Sequence, residues 1–222
     1  MEDKNAKLFI IGDVHGCWHT YQELLNHWDP ESELLIQLGD LVDRGNFSPQ
    51  CLDLSQDLQR EFPDRTVFLR GNHEHMMLRY LKGNDTTGHW LNNGGTSTLA
   101  GFNDFSLEPS DFIGWLESRA LVWENNSVFV SHAGITNVEN PYDVDDRMGV
   151  LWNRGPWKNI GKLQVIGHTP QVNGKATFQS NPPVLNIDTG AFRGICLTGV
   201  KLDEQGNMLE EINVPTHELD VV

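Results

Sequence analysis

The chain has 222 residues and a formal net charge of −15, from 16 basic and 31 acidic side chains. That balance excludes a general nucleic-acid or membrane-surface binder, because both need a basic face. Hydrophobic residues at 38% and seven tryptophans exclude disorder, and the three cysteines (Cys17, Cys51 and Cys196) stand in no paired spacing and read as reduced. Residues 8–11, Leu-Phe-Ile-Ile, are a short apolar run ended by Gly12 and read as a buried strand. Trp18, Tyr21, Leu24, Leu25 and Trp28 then recur at helical spacing. A second strand at 34–38 ends at Gly39, a helix spans about 49–62, and a third strand at 66–69 stops at Gly71. This alternation predicts right-handed βαβ units and a largely parallel sheet. Residues 75–82 read as helix, 83–106 as loops with short helices, and 109–118 as another helix. Residues about 83–120 are therefore expected to form a helical and loop insertion. Strands return at 127–130, 163–166, 184–187, 194–201 and 208–214, the last two joined by a turn at Gln205-Gly206-Asn207. No linker is visible, so residues 1–222 read as one domain. No signal peptide and no apolar run of about 20 residues is seen, which predicts a cytoplasmic protein.

The strand ends carry the chemistry. They read Gly12-Asp13-Val14-His15-Gly16, Gly39-Asp40-Leu41-Val42-Asp43-Arg44-Gly45, Arg70-Gly71-Asn72-His73-Glu74, Ser131-His132-Ala133-Gly134 and Gly167-His168-Thr169-Pro170. In an open α/β sheet, ligands bind beyond the carboxyl ends of the strands. Asp13 and His15 are two apart and leave an extended chain on one face. A carboxylate and an imidazole so placed can hold a metal, and Asp40 from the neighbouring strand can bridge two. Asn72, His132 and His168 would complete a second position. This oxygen and nitrogen donor set, without thiolate, suits Mn²⁺, Fe, Zn²⁺ or Ni²⁺ better than a structural zinc. Two such ions ~3.5–4 Å apart activate water and stabilise in-line displacement at phosphorus. Any one of these motifs alone fits a capped turn or a surface ion pair as well. Five in order, with one compatible chemistry, do not.

Gly12-Asp13-x-His15-Gly16, Gly39-Asp40-x-x-Asp43-Arg44-Gly45 and Gly71-Asn72-His73-Glu74 resemble the three signatures of the phosphoprotein phosphatases, within the calcineurin-like metallophosphoesterases. His132 and His168 match the later metal histidines of that family, and the resemblance spans residue 8 to about 200. It implies an α/β fold: a metallophosphoesterase-type β-sandwich of two mixed sheets flanked by helices, an αββα stack with two divalent ions at the sheet ends, Mn²⁺ foremost. It implies that Asp13, His15 and Asp40 hold one ion, with His168 beside it or at the other, and that Asp40, Asn72, His132 and His168 form the second set. His73 then resembles the general acid and Asp43 the carboxylate that orients it. Arg44 and Arg70 resemble phosphate clamps, and Arg154 a third.

The implied activity is hydrolysis of phosphomonoesters in proteins, phosphoserine or phosphothreonine first and phosphotyrosine as well, by a hydroxide bridging the two metals. The alternative is a dinucleoside tetraphosphate such as diadenosine tetraphosphate, which similar bacterial proteins hydrolyse. Glu74 leans toward the protein phosphatases, because the third signature of the nucleotide enzymes often ends in Asp. Two nucleosides need stacking surfaces, for which Trp18, Trp90, Trp152 and Trp157 are candidates. The expected partner is a phosphorylated protein or small phosphoester, with no nucleic acid, no membrane and no dedicated regulatory subunit. The tyrosine-containing loop of the eukaryotic subunits has no counterpart here; Asp188-Thr189-Gly190-Ala191 stands in its place. Asp188 reads either as a carboxylate behind a metal ligand or as the cap of its own turn. Trp90 reads as groove lining or as the buried anchor of its loop. His75 is expected on the outer face of its helix, and His19, His27, His89 and His217 carry no motif.

Overall fold

Strand β1 (Lys7–Ile11) alternates with a period of two: Leu8 and Ile10 bury on one face, Phe9 and Ile11 on the other. Both faces are apolar, so the sheet it belongs to must be covered on both sides. The computed structural model, which describes residues 7–221, shows how. β1 pairs in parallel with β2 (Glu33–Gln37), and β2 with β3 (Thr66–Phe68). Helices α1 (Trp18–Leu25) and α2 (Ser48–Glu61) form the crossovers. On the other side of β1, β9 (Cys196–Leu202) and then β10 (Met208–Pro215) add antiparallel. The second sheet is built from β4 (Val122–Glu124), β5 (Val128–Ser131), β6 (Leu163–Ile166), β7 (Thr177–Ser180) and β8 (Pro183–Asn186). Strand order is β10-β9-β1-β2-β3 in the first sheet and β4-β5-β6-β8-β7 in the second, five mixed strands each.

The sheets close on each other. Leu8, Ile10, Ile36 and Val200 of the first share one buried cluster with Val128, Val130, Val165 and Leu185 of the second. Each such side chain contributes roughly 1.5–3 kcal/mol by leaving water. Behind the first sheet, Phe9, Ile11 and Leu35 pack with Tyr21 and Leu24 of α1 and Leu52 of α2. Met76 and Met77 of α3 (Asn72–Leu81), Phe102 of α4 (Thr96–Phe105) and Leu116 of α5 (Ile113–Glu117) join the same cluster. The outer face of the second sheet carries the smaller cluster of Phe129, Ile135 and Val150, with residues 132–162 as its cover. The sandwich is the expected one, but its helices gather behind one sheet.

Some elements differ from expectation. α3 starts at Asn72, not at residue 75, because the Glu74 carboxylate accepts the Gly71 N–H at 2.8 Å and caps the helix earlier. That shift puts Asn72 and His73 in the first helical turn. The expected 109–118 helix is a 3₁₀ turn (Pro109–Phe112) followed by α5. β4 and β7 are short edge strands; Val122 and Trp123 of β4 are half-buried against the core, and every residue of β7 is exposed. Among the described residues, no helix is long and apolar enough to cross a membrane.

Candidate active site

The carboxyl ends of β1, β2, β5 and β6 and the N-terminus of α3 meet at one edge of the sandwich. β1 delivers Asp13 and His15, and β2 delivers Asp40, Asp43 and Arg44. Asn72 and His73 open α3, and His132 and His168 follow β5 and β6. Among the described residues, five of the six non-glycine positions with positive φ belong to this set: His15, Asp40, Asp43, Arg44 and His168. Each such backbone costs of order 1–3 kcal/mol and persists only when its surroundings over-determine it. Here they do: the N–H groups of Val14 and His15 both donate to the Asp40 carbonyl, at 3.0 and 2.8 Å. Gly167 has to be glycine, because a Cβ there would overlap Asp13 Oδ1.

Asp40 Oδ2 is the hub. It lies 3.3 Å from His15 Nε2, 3.4 Å from His132 Nε2 and 3.9 Å from His73 Nε2. Its other oxygen accepts the His73 backbone N–H at 3.0 Å. His15 Nδ1 donates to the Val42 carbonyl at 2.8 Å and His132 Nδ1 to the Leu38 carbonyl at 3.0 Å. That assignment of protons leaves both Nε2 lone pairs aimed at the centre. Asn72 Oδ1 stands 2.8 Å from His132 Nε2 and 2.9 Å from His168 Nδ1. Burial pushes the His15 and His132 pKa values down and that of His168 to about 2, so these imidazoles are neutral, the ligating form. The His132 Nε2 lone pair therefore faces two acceptors, Asn72 Oδ1 at 2.8 Å and Asp40 Oδ2 at 3.4 Å.

The carboxylates point the same way. Asp13 Oδ2 accepts the His168 N–H at 2.9 Å, while its buried Oδ1 has no hydrogen-bond partner. Burial, then the charges of Asp188 and Asp40, push its carboxyl well above the ordinary value. Burial opposes the charge of Asp40 too, but His132, His73, His15 and Arg44 outweigh it and hold that carboxyl well below the usual range. Crowded acceptors of this kind are satisfied by cations, and the oxygen and nitrogen set fits two divalent ions. Two triads have ligand atoms within 4.8 Å of one another: His15, Asp40 and His73, and Asp40, His132 and His168.

His73 is held from behind. Its Nδ1 lies 2.6 Å from Asp43 Oδ2. Asp43 is fully buried and accepts Trp90 Nε1–H on both oxygens, at 3.0 and 2.9 Å, and Thr98 Oγ–H at 2.7 Å. Burial opposes a charge on His73, but the charge of Asp40 and the hydrogen bond that His73 donates to Asp43 outweigh it and raise its pKa. An imidazole whose second nitrogen opens to the groove is placed to act as a general acid once protonated. Trp90 is thus the buried anchor of its loop and a partner of Asp43, not groove lining. Gly94, with φ +111°, lets the same loop press close: a Cβ there would stand 3.0 Å from the Arg44 nitrogen.

In front of His73 lies a groove of about 280 Å³, whose lining includes Asp40, Asn72, Arg44, Arg147 and Arg154. Arg44 reaches His15 Nε2 at 2.7 Å and His73 Nε2 at 2.9 Å, and its guanidinium packs 4.2 Å over the Phe192 ring. Arg154 donates to Thr169 Oγ1 at 3.0 Å. None of these three arginines is paired to a carboxylate among the described residues, so the groove is locally cationic on an acidic chain. Arg70 is not brought to it: Nη2 donates to the Glu117 carbonyl at 2.5 Å, and buried Nε has no partner. Arg147 was missed because it sits in an irregular acidic loop with no motif around it. Asp188 caps its own turn, Oδ1 accepting the Gly190 N–H at 3.0 Å; among the described residues its buried Oδ2 has no hydrogen-bond partner, and the carboxylate is near enough to Asp13 to push that carboxyl's pKa up. His75 is buried and faces Asp145 at 3.0 Å instead of lying on an outer face. Of the four candidate stacking tryptophans, only Trp152 lines the groove. Trp157 is tied to the Ala133 carbonyl at 3.0 Å, and Trp18 packs on His19 and Phe47.

Residues 6–196 match the family model described as calcineurin-like phosphoesterase. The asymmetrical bis(5'-nucleosyl)-tetraphosphatase PrpE of Bacillus cereus is 28% identical over 245 aligned residues, covering 95% of this chain and 94% of the relative. Serine/threonine-protein phosphatase 1 of Salmonella typhimurium is 37% identical over 98 residues, 43% of this chain and 42% of the relative. Among solved structures, a cold-active protein-tyrosine phosphatase of a Shewanella species shares the fold with a TM-score of 0.67 at 18% identity, over 94% of this chain and 80% of that one.

Proposed function

The chain belongs to the calcineurin-like phosphoesterases and is a hydrolase of phosphoric ester bonds; from that premise we propose that its substrate is a dinucleoside tetraphosphate, cut asymmetrically in the cytoplasm. This reverses the order expected from the signatures, where Glu74 favoured phosphoproteins. The observation that carries it is extent: the PrpE relative aligns over nearly the whole of both chains, while the Salmonella protein phosphatase aligns over 43% of this one. Three arginines without carboxylate partners, Arg44, Arg147 and Arg154, suit a polyphosphate with several negative charges.

We assign Asp13, His15, Asp40, Asn72, His132 and His168 to two divalent ions, Mn²⁺ first, with His73 in the first triad by distance but given to acid catalysis because Asp40 and Asp43 raise its pKa where those of His15 and His132 are lowered. When bound, such ions lower the pKa of water and draw charge from phosphoryl oxygens. The chain's own groups do the rest. Arg44 and Arg154 hold the phosphoryl oxygens of the attacked phosphate in place. A P–O bond forms to the water oxygen as the bridging P–O bond breaks. His73 gives its proton to the departing bridging oxygen, and Asp43, fixed by Trp90 and Thr98, keeps the imidazole aligned. The 83–120 insertion acts as the buttress of that acid. The products are a nucleoside monophosphate and a nucleoside triphosphate.

A phosphoprotein substrate is the second reading, favoured by the higher local identity to the Salmonella enzyme. The deciding assay measures initial rates on diadenosine tetraphosphate and on a phosphothreonine peptide, with Mn²⁺ supplied. A kcat/KM at least ~100-fold higher on the dinucleotide, about 2.7 kcal/mol of differential transition-state binding, with AMP and ATP as products, establishes the proposal. The opposite preference makes the chain a protein phosphatase.

A further inference from the structure

A second cavity, of about 630 Å³, adjoins the catalytic groove. The two share His89, Arg147 and Trp152 as common wall, so they form one trough. A phosphoryl group alone needs only the smaller part. We infer that the larger part is a nucleoside subsite, holding one purine of the substrate while its phosphates lie against Arg44 and Arg154. The inference rests on the dinucleotide reading.

The chemistry of the wall carries it. Trp152 is half-buried and fixed by its Nε1–H to the Val144 carbonyl at 2.7 Å. The His89 ring lies near-parallel to that indole, 6.2 Å between centroids and 28° between planes. An aromatic floor at the junction is what a base stacks on, and stacking tolerates any base because each has a π-face. Two cations stand at the rim. Arg79 is held by Asp145 at 2.8 Å, whereas Arg147 is exposed and has no hydrogen-bond or ion-pair partner among the described residues. A free guanidinium between a base platform and the groove fits a phosphate at the point where it joins the nucleoside. Asp85 does not spoil the site for an anion: its carboxylate is spent on the N–H groups of Thr87, His89 and Trp90, at 3.3, 3.0 and 2.8 Å. The volume falls in the range of small-molecule pockets.

The test uses the Mn²⁺-loaded full chain hydrolysing p-nitrophenyl phosphate, with AMP and inorganic phosphate as competing inhibitors. The quantity read is the ratio of their inhibition constants within each protein, so a general loss of activity cancels. AMP is expected to inhibit at least about tenfold more tightly than phosphate, corresponding to ~1.4 kcal/mol. Trp152→Ala should bring the ratio close to one, and Trp152→Phe should retain most of it. Arg147→Ala, at an exposed and unpartnered position that does not threaten folding, should reduce it about threefold. A wild-type ratio near one, or a ratio unmoved by Trp152→Ala, overturns the subsite. So does a phosphopeptide that competes more tightly than AMP in a Trp152-dependent way, which would make the trough a peptide groove. The turnover of diadenosine tetraphosphate separates the two proposals. No turnover with the ratio intact removes the dinucleotide reading and leaves the nucleoside subsite standing. Turnover with a ratio of one does the reverse.

Discussion

Replacing Trp90 by Phe keeps a ring in the buried slot and removes one N–H. That N–H is one of three side-chain donors to Asp43, beside those of Thr98 and His73, and it reaches both carboxylate oxygens. A hydrogen bond to a buried charge is worth about 1.5–3 kcal/mol, and the smaller ring leaves a void that adds to the loss. The expected fall in stability is therefore at least about 2 kcal/mol, read as a lower urea midpoint with unchanged slope. The catalytic effect is smaller than losing the acid, because Thr98 and the Asp43 backbone N–H bonds to Ser48 and Thr98, at 2.8 and 3.0 Å, remain. General-acid catalysis contributes ~10²–10⁴-fold, and loosening its orienter should cost about tenfold of that. The assay compares phenyl phosphate with p-nitrophenyl phosphate. Phenolate needs a proton on departure far more than nitrophenolate does. Trp90→Phe should therefore slow phenyl phosphate about tenfold more than p-nitrophenyl phosphate. Equal losses on both substrates would refute the reasoning and reduce Trp90 to a packing residue.

Asp40→Asn should abolish metal-dependent turnover and lower bound metal, measured by elemental analysis, because Asp40 Oδ2 is the oxygen common to both triads. His73→Asn should leave metal content intact while kcat on phenyl phosphate falls ~10²–10⁴-fold; loss of metal would make His73 a ligand and not the acid. The His73 pKa is raised in the folded protein, so the acid is present at low pH and is lost as pH rises through that value. This gives kcat an alkaline limb, and Asp43→Asn, which removes the negative charge and the carboxylate hydrogen bond that raise the pKa, should move the limb to lower pH. Arg70→Ala should leave the KM for the substrate within about twofold, since the guanidinium serves the Glu117 carbonyl, and cost about 1 kcal/mol of stability in urea; a large rise in KM would restore it as a phosphate clamp.

The strand ends were legible in the sequence because each ends an apolar run at a glycine and carries a ligand-type residue beside it. Asp13, His15, Asp40, Asn72, His132 and His168 all reach the edge where those motifs place them. Residues without a local signal were not legible. Trp90 and Asp43 are 47 residues apart, and nothing around Trp90 in sequence distinguishes an indole that backs a carboxylate from one that lines a groove. Arg70 sits in a matching signature, yet the direction of its long side chain is decided by α5 and the start of β4, which sequence reading did not resolve. Arg147 lies among acidic residues that mask it. β4 and β7 arise from pairing with β5 and β8; β4, at three residues, is too short to announce itself, and β7 is too exposed.

The six assigned ligands come from both sheets: Asp13, His15, Asp40 and Asn72 from the first, His132 and His168 from the second. Asp13 and His168, joined by a hydrogen bond, are 155 residues apart in the chain. Unfolded or half-folded chains hold the fragments of a chelate but not the chelate itself. An ion that spans the seam acts as a clasp, and its affinity for the closed sandwich adds directly to the work of prising the sheets apart, growing with RT ln(1 + [metal]/Kd). With metal held by the assigned ligands, its supply would set how firmly the two halves of this protein stay shut as well as how fast it turns over substrate.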